Sequence, residues 1–162
     1  VEEALYYKDQ GNVLYVRAVG HITAAVCYSL RSRVFERLAR EPEPDAVYID
    51  LSQCSYMDST FMGLLVGFNK QFHPGIEIVA PSEPCVKLLK GLGIYGLLRT
   101  RDAPVALPKD MELLSGSSES RAEVLLKAHE HLIEVSDENR KKFALLRSIL
   151  KKKVDEEKDD QA

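Results

Sequence analysis

The chain contains no tryptophan and, in 162 residues, only three cysteines: Cys27, Cys54 and Cys85. They stand far apart, with no C-x-x-C pair and no histidines at zinc-finger spacing. That argues against a disulfide framework or a local zinc site and leaves them as buried small hydrophobes of a reducing compartment. No apolar run approaches the roughly 20 residues that span a bilayer, and the first residues are acidic rather than a basic leader, so a cytoplasmic chain without a membrane span is expected. Positive charge is not in excess either. Lys and Arg number 22 against 25 Asp and Glu, a net charge of -3, so no uniformly basic surface drives counterion release and direct nucleic-acid binding is disfavoured.

Enzyme signatures are missing as well. There is no glycine-rich phosphate loop before a lysine, no G-x-S-x-G elbow and no H-E-x-x-H. His129 and His131 are two apart, so on a helix they point to different sides, cannot share a metal ion and read as part of a solvated face. A non-catalytic protein without cofactor or metal is expected.

What is present is a hydrophobic content of 45%, enough for one ordinary core and an appendage. Leu5–Lys8 and Val13–Val19 are β-branched and aromatic runs joined by Asp9-Gln10-Gly11-Asn12, the signature of a hairpin. Thr23 can cap a helix in which Cys27, Leu30, Val34 and Leu38 recur at spacings of three and four, with Arg31, Arg33, Glu36 and Arg37 mostly on the other faces, stopped by Glu41-Pro42-Glu43-Pro44. Ala46–Leu51 reads as a strand buried on both faces, followed by the polar link Ser52–Ser55. Ser59–Phe72 then forms a helix whose core stripe is Phe61, Leu64, Leu65, Phe68 and Phe72. Ile76–Ala80 reads as a strand, Pro84–Leu92 as a helix closed by Gly93, and Tyr95–Leu98 as a last short strand. Such alternation predicts an α/β fold with a mixed, largely parallel sheet over residues 1–108.

Residues 109–162 form a linker and a C-terminal helical extension. Pro104, Pro108 and Gly116-Ser117-Ser118 loosen the connection. Ser120-x-x-Glu123 is a capping box ahead of Val124, Leu125, Ala128, Leu132 and Val135. Ser136 can cap a second helix with Phe143, Leu146, Leu150 and Val154 inward and a basic run from Arg140 to Lys153, ending in a frayed acidic tail, Asp155–Asp160. These apolar stripes need cover. Packing on the sheet domain, pairing as a hairpin and homodimerising through the C-terminal helices all satisfy that need.

Tyr56-Met57-Asp58-Ser59-Thr60-Phe61-Met62-Gly63-Leu64-Leu65 sits where the central strand meets a helix. Asp58 or Ser59 can serve simply as the helix cap, worth about 1 kcal/mol. A hydroxyl there would also be exposed, and a phosphate on it would meet unpaired N–H groups and the positive end of the helix dipole. Gly63 and Gly67 lie one turn apart near Thr60, flanked by Met62 and Val66. Small residues admit close approach by another protein, and they equally suit a tight helix contact within the chain.

At these residues the sequence resembles the STAS domain, the family of anti-sigma factor antagonists and of cytoplasmic domains of sulfate transporters. The resemblance spans about residues 4–105 and rests on Val47-Tyr48-Ile49-Asp50-Leu51-Ser52, then Tyr56-Met57-Asp58-Ser59-Thr60 and Gly63-Leu64. It implies that Ser59 is a phosphoacceptor, with Thr60 the lesser candidate and Asp58 positioning the loop. The face of Thr60, Met62, Gly63, Val66 and Gly67 would bind a partner serine kinase that is itself an anti-sigma factor, and a metal-dependent serine phosphatase would restore the hydroxyl. The alternative is a non-switching STAS scaffold subunit of a stress-signalling or membrane transport complex. The family pattern has glycine where this chain has Phe61, and often aspartate where it has Thr23.

Overall fold

The computed structural model describes residues 3–115 and 122–161. The expected capping residue Ser120 and the Gly116-Ser117-Ser118 stretch lie outside them. β1 (Glu3–Gln10) and β2 (Val13–Ile22) form the expected antiparallel hairpin. Gln10 pairs with Val13, leaving Gly11 and Asn12 as a two-residue turn with φ of 62° at both positions, the geometry that suits the right-handed twist of the flanking strands. α1 (Ala24–Leu38) returns the chain so that β3 (Ala46–Met57) pairs parallel with β2. α2 (Ser59–Gln71), β4 (Glu77–Val79), α3 (Glu83–Gly91) and β5 (Arg99–Arg101) continue the alternation, with β4 parallel to β3 and β5 parallel to β4.

Three boundaries differ from expectation. The supposed link Ser52–Ser55 is strand, because β2 is long enough to keep pairing β3 as far as Ile22 and Met57. Tyr95–Leu98 is turn, and the last parallel strand follows it at Arg99–Arg101. β6 (Glu112–Leu114) pairs antiparallel with β1, so the sheet extends past the boundary expected near residue 108. The six strands run β5-β4-β3-β2-β1-β6.

The remaining chain is α4 (Ala122–Ile133) and α5 (Asp137–Gln161). The acidic stretch Asp155–Asp160, expected to fray, continues the last helix with its side chains exposed. No glycine or proline interrupts it, and Glu and Lys are good helix formers. Ser136 caps α5 as expected, its Oγ accepting from Asn139 N at 3.1 Å. Of the three ways to cover the apolar stripes, two are realised within the chain. The helices pair with each other, burying Ala122, Leu150 and Val154 against Leu125, Leu126 and Leu146, and they dock on the sheet domain, where Leu132 and Phe143 join the main core. Among the described residues no helix is long and apolar enough to cross a membrane.

Asn139 fixes the hairpin in place. Its buried amide donates to Leu92 O at 2.8 Å, just past α3, and to Leu132 O at 3.0 Å in α4. Asn139→Ala leaves two buried carbonyls without this donor. A loss of about 2 kcal/mol is expected, read as a lowered urea midpoint.

Candidate functional site

Asp58 is the residue from which the site is built. It leaves β3 with extended backbone and caps α2, its Oδ1 accepting from Phe61 N at 2.9 Å. Its Oδ2 accepts from Ala24 N at 2.9 Å. One carboxylate therefore satisfies exposed donors of two helices and ties their starts together. Thr23, expected to cap α1 with its side chain, is the N-cap but makes no side-chain cap hydrogen bond. Its N and Oγ1 both donate to Glu3 Oε1, at 2.9 and 2.7 Å, and the Val26 amide that its side chain would cap donates instead to the Thr23 carbonyl at 3.3 Å. Burial pushes the Asp58 carboxyl above its ordinary value, against the pull of the Phe61 and Ala24 N–H groups.

Ser59 opens α2, as the sequence pattern predicts, and its side chain is half-buried. The hydroxyl meets His129 Nε2 of α4 at 2.7 Å. His129 Nδ1 lies 2.7 Å from Leu125 O, which can only accept. In the neutral ring Nδ1–H therefore donates to Leu125 O, and Nε2 accepts from Ser59. Thr60, the alternative hydroxyl, is 3% exposed and turned into the fold.

Of the two uses the sequence leaves to this face, contact within the chain is the one seen. Met62, Gly63, Val66 and Gly67 are all buried, and α4 lies across the glycines. A Cβ at Gly63 would fall 2.1 Å from Ala128 O, and one at Gly67 would fall 3.0 Å from the His131 ring. The two glycines thus serve a close contact within the chain. At the far end of α2, Lys70 forms an ion pair with Glu134 and approaches His131 Nδ1 at 3.3 Å. Phe61 fills the core with no exposed surface. Tyr56, two residues before Asp58, stays 42% exposed and packs its ring on His21 at 5.6 Å, so solvent still reaches the strand side of the loop.

His129 is the site residue that sequence reasoning missed. Expected on a solvated face, it is 1% exposed and stacks edge-on with Phe143 at 5.1 Å. The available signal was its spacing. It lies four residues after Leu125 and three before Leu132, within the stripe already assigned to packing.

An α/β domain with a hairpin-opened sheet and a capped, hydroxyl-bearing helix start after its central strand is the class this arrangement defines. Residues 5–104 match the STAS domain, and the chain belongs to that family. The unphosphorylated form of the anti-sigma factor antagonist SpoIIAA superposes with a TM-score of 0.54 at 16% identity, over 60% of this chain and 88% of that one. A Thermotoga maritima protein, tm1081, provisionally described as an anti-sigma factor antagonist, gives 0.53 at 18% identity over 60% and 85%. The family match ends at residue 104, so α4 and α5 lie beyond it.

Removing the shared cap with Asp58→Ala loses one cap from each of two helices and lowers stability by about 2 kcal/mol, measurable by urea denaturation. Stability at this contact also depends on pH. Burial first, and then Lys70, holds the His131 imidazole below its ordinary value, and the hydrogen bond from Lys70 holds Glu134 below the ordinary carboxylate range. The folded state thus binds these protons more weakly than the unfolded chain. The stability linked to His131 is complete above about pH 6.5 and is lost as pH falls below it, and that linked to Glu134 is lost below about pH 4.3. The urea midpoint should fall between pH 7.5 and 5.5, and His131→Gln should flatten that fall.

Proposed function

We propose that the protein is an anti-sigma factor antagonist-like regulator that binds a partner serine kinase, itself an anti-sigma factor, and is switched off by phosphorylation at Ser59. It acts by binding rather than by catalysis, without cofactor, and a metal-dependent serine phosphatase resets it. The observation that carries the reading is the position of the Ser59 hydroxyl, at the first residue of α2, directly after the central strand and beside the doubly bonded Asp58. A helix start is where a phosphate is best tolerated without unfolding. Likeness to an antagonist solved in an unphosphorylated form supports the same reading.

The switch follows from charge. A phosphate adds roughly -1.5 to -2 charges beside the partly buried Asp58 carboxyl, on a helix whose partner face is Thr60, Met62, Gly63, Val66 and Gly67. An apolar interface closed over that charge incurs repulsion and desolvation. A hundredfold loss of affinity requires about 2.7 kcal/mol, within what a buried unpaired charge costs.

A second reading, a non-switching scaffold subunit of a stress-signalling or membrane transport complex, draws on the burial of Met62, Gly63 and Val66 beneath α4. Incubation with the serine kinases of its cell, followed by mass spectrometry, separates the two. Partner switching predicts a single phosphate that Ser59→Ala abolishes, and partner binding about a hundredfold weaker in Ser59→Asp. No phosphate from any kinase that binds the chain, or undiminished binding by Ser59→Asp, supports the scaffold.

A further inference from the structure

We propose that the α4–α5 hairpin is an intramolecular clasp: it occupies the partner face of α2 and latches the free Ser59 hydroxyl through His129, so a kinase or partner gains this face only when the hairpin lifts away. This regulation rests on the reading of Ser59 as the switched hydroxyl. It reaches beyond the family match, since the hairpin lies outside the matched residues.

The contact is built around the site. α4 meets the first turn of α2 through Ser59 and His129, its middle through Gly63 and the Ala128 backbone, and its end through Lys70 and Glu134. With α4 seated, the half-buried Ser59 hydroxyl lies beneath the buried His129 ring, and it is this cover, not the hydrogen bond, that keeps a kinase from bringing its phosphoryl donor to Oγ. A phosphate on Oγ removes the hydrogen that Nε2 accepts and needs the space that the buried His129 fills, so modification opposes closure.

Lifting the hairpin exposes Leu132 and Phe143 and breaks the Asn139 bond to Leu92 O, but the hairpin can leave as one unit. Its two helices share an apolar cluster of their own, Ala122, Leu150 and Val154, which holds them together off the sheet domain. Its seat is imperfectly filled. A partly open cavity of about 110 Å³ remains between α1, α2 and α4, bordered by Arg31, Phe35, Leu64, Gly67, Ala128 and His131. Local opening of a peripheral unit is less costly than global unfolding. For the unmodified chain it also reduces apparent affinity by the open fraction, about a hundredfold for a clasp open about 1% of the time, so the hundredfold loss expected of Ser59→Asp is read in a background already held open by Gly63→Ala.

The chain carrying Ala128→Cys provides the test, because Ala128 is buried at this contact and the cavity beside it accommodates a thiol. Reaction with N-ethylmaleimide, followed by mass spectrometry, compares the introduced thiol with the buried Cys27, Cys54 and Cys85. The clasp predicts labelling at position 128 at least about tenfold faster than at the native thiols. Adding Gly63→Ala, whose Cβ collides with the Ala128 carbonyl, accelerates it about tenfold again without changing the native three. Labelling of all four in step makes the hairpin a fixed part of one cooperative fold and overturns the clasp. Should Ala128→Cys fail to fold, hydrogen exchange on the unaltered chain reads the same opening. Val124–Leu132 amides then exchange ahead of those in β3, and simultaneous exchange overturns the proposal. A chain that opens in these assays yet takes no phosphate at Ser59 defeats partner switching and leaves the clasp standing.

Discussion

The carbonyl of Ala128 occupies the space that any side chain at position 63 would need. With glycine at that position, two helix backbones approach more closely than side chains ordinarily allow, and the rest of the site takes its geometry from this contact. It sets α4 at the height where His129 reaches Ser59 and Glu134 reaches Lys70. It also explains how a helix with a mostly apolar stripe covers the middle of the helix following the central strand, while a small cavity remains beside Gly67 and His131. Shape complementarity, more than any one hydrogen bond, decides which face of the domain is available.

Asp58 works at right angles to this. By accepting from the first turns of both α1 and α2 it fixes the two helix starts against the end of β3, leaving Ser59 little freedom except at its side chain. The hydroxyl therefore has a defined choice between the imidazole of α4 and whatever approaches from outside. Placing a second negative group beside Asp58 would act on a rigid frame, where repulsion cannot be relieved by local rearrangement. In a loop the same charge would simply move aside.

Much of this fold was legible in the sequence. The Gly11-Asn12 turn, the stripe of Phe61, Leu64, Leu65, Phe68 and Phe72, and the Ser136 cap are local patterns, and each reappears in the structure. The elements that were missed are those without a local signature. Arg99–Arg101 is an edge strand exposed at every residue, and Glu112–Leu114 is three residues held by pairing with β1. Asp58 and Ser59 were legible as a helix start. Their partners were not, because Ala24 and His129 are 34 and 70 residues away, and no periodicity encodes which distant helix will cover a face. Gly63 and Gly67 announced a close contact without naming its occupant.

A docked α4 requires a free hydroxyl at Ser59. The most direct measurement is amide hydrogen exchange on the full chain with phosphoserine installed at position 59 during translation, set against the unmodified chain. The phosphorylated protein should lose protection across α4 while β3 exchanges as before. Equal protection of α4 in the two proteins would contradict the account, since the hairpin would then sit on its face regardless of what Ser59 carries.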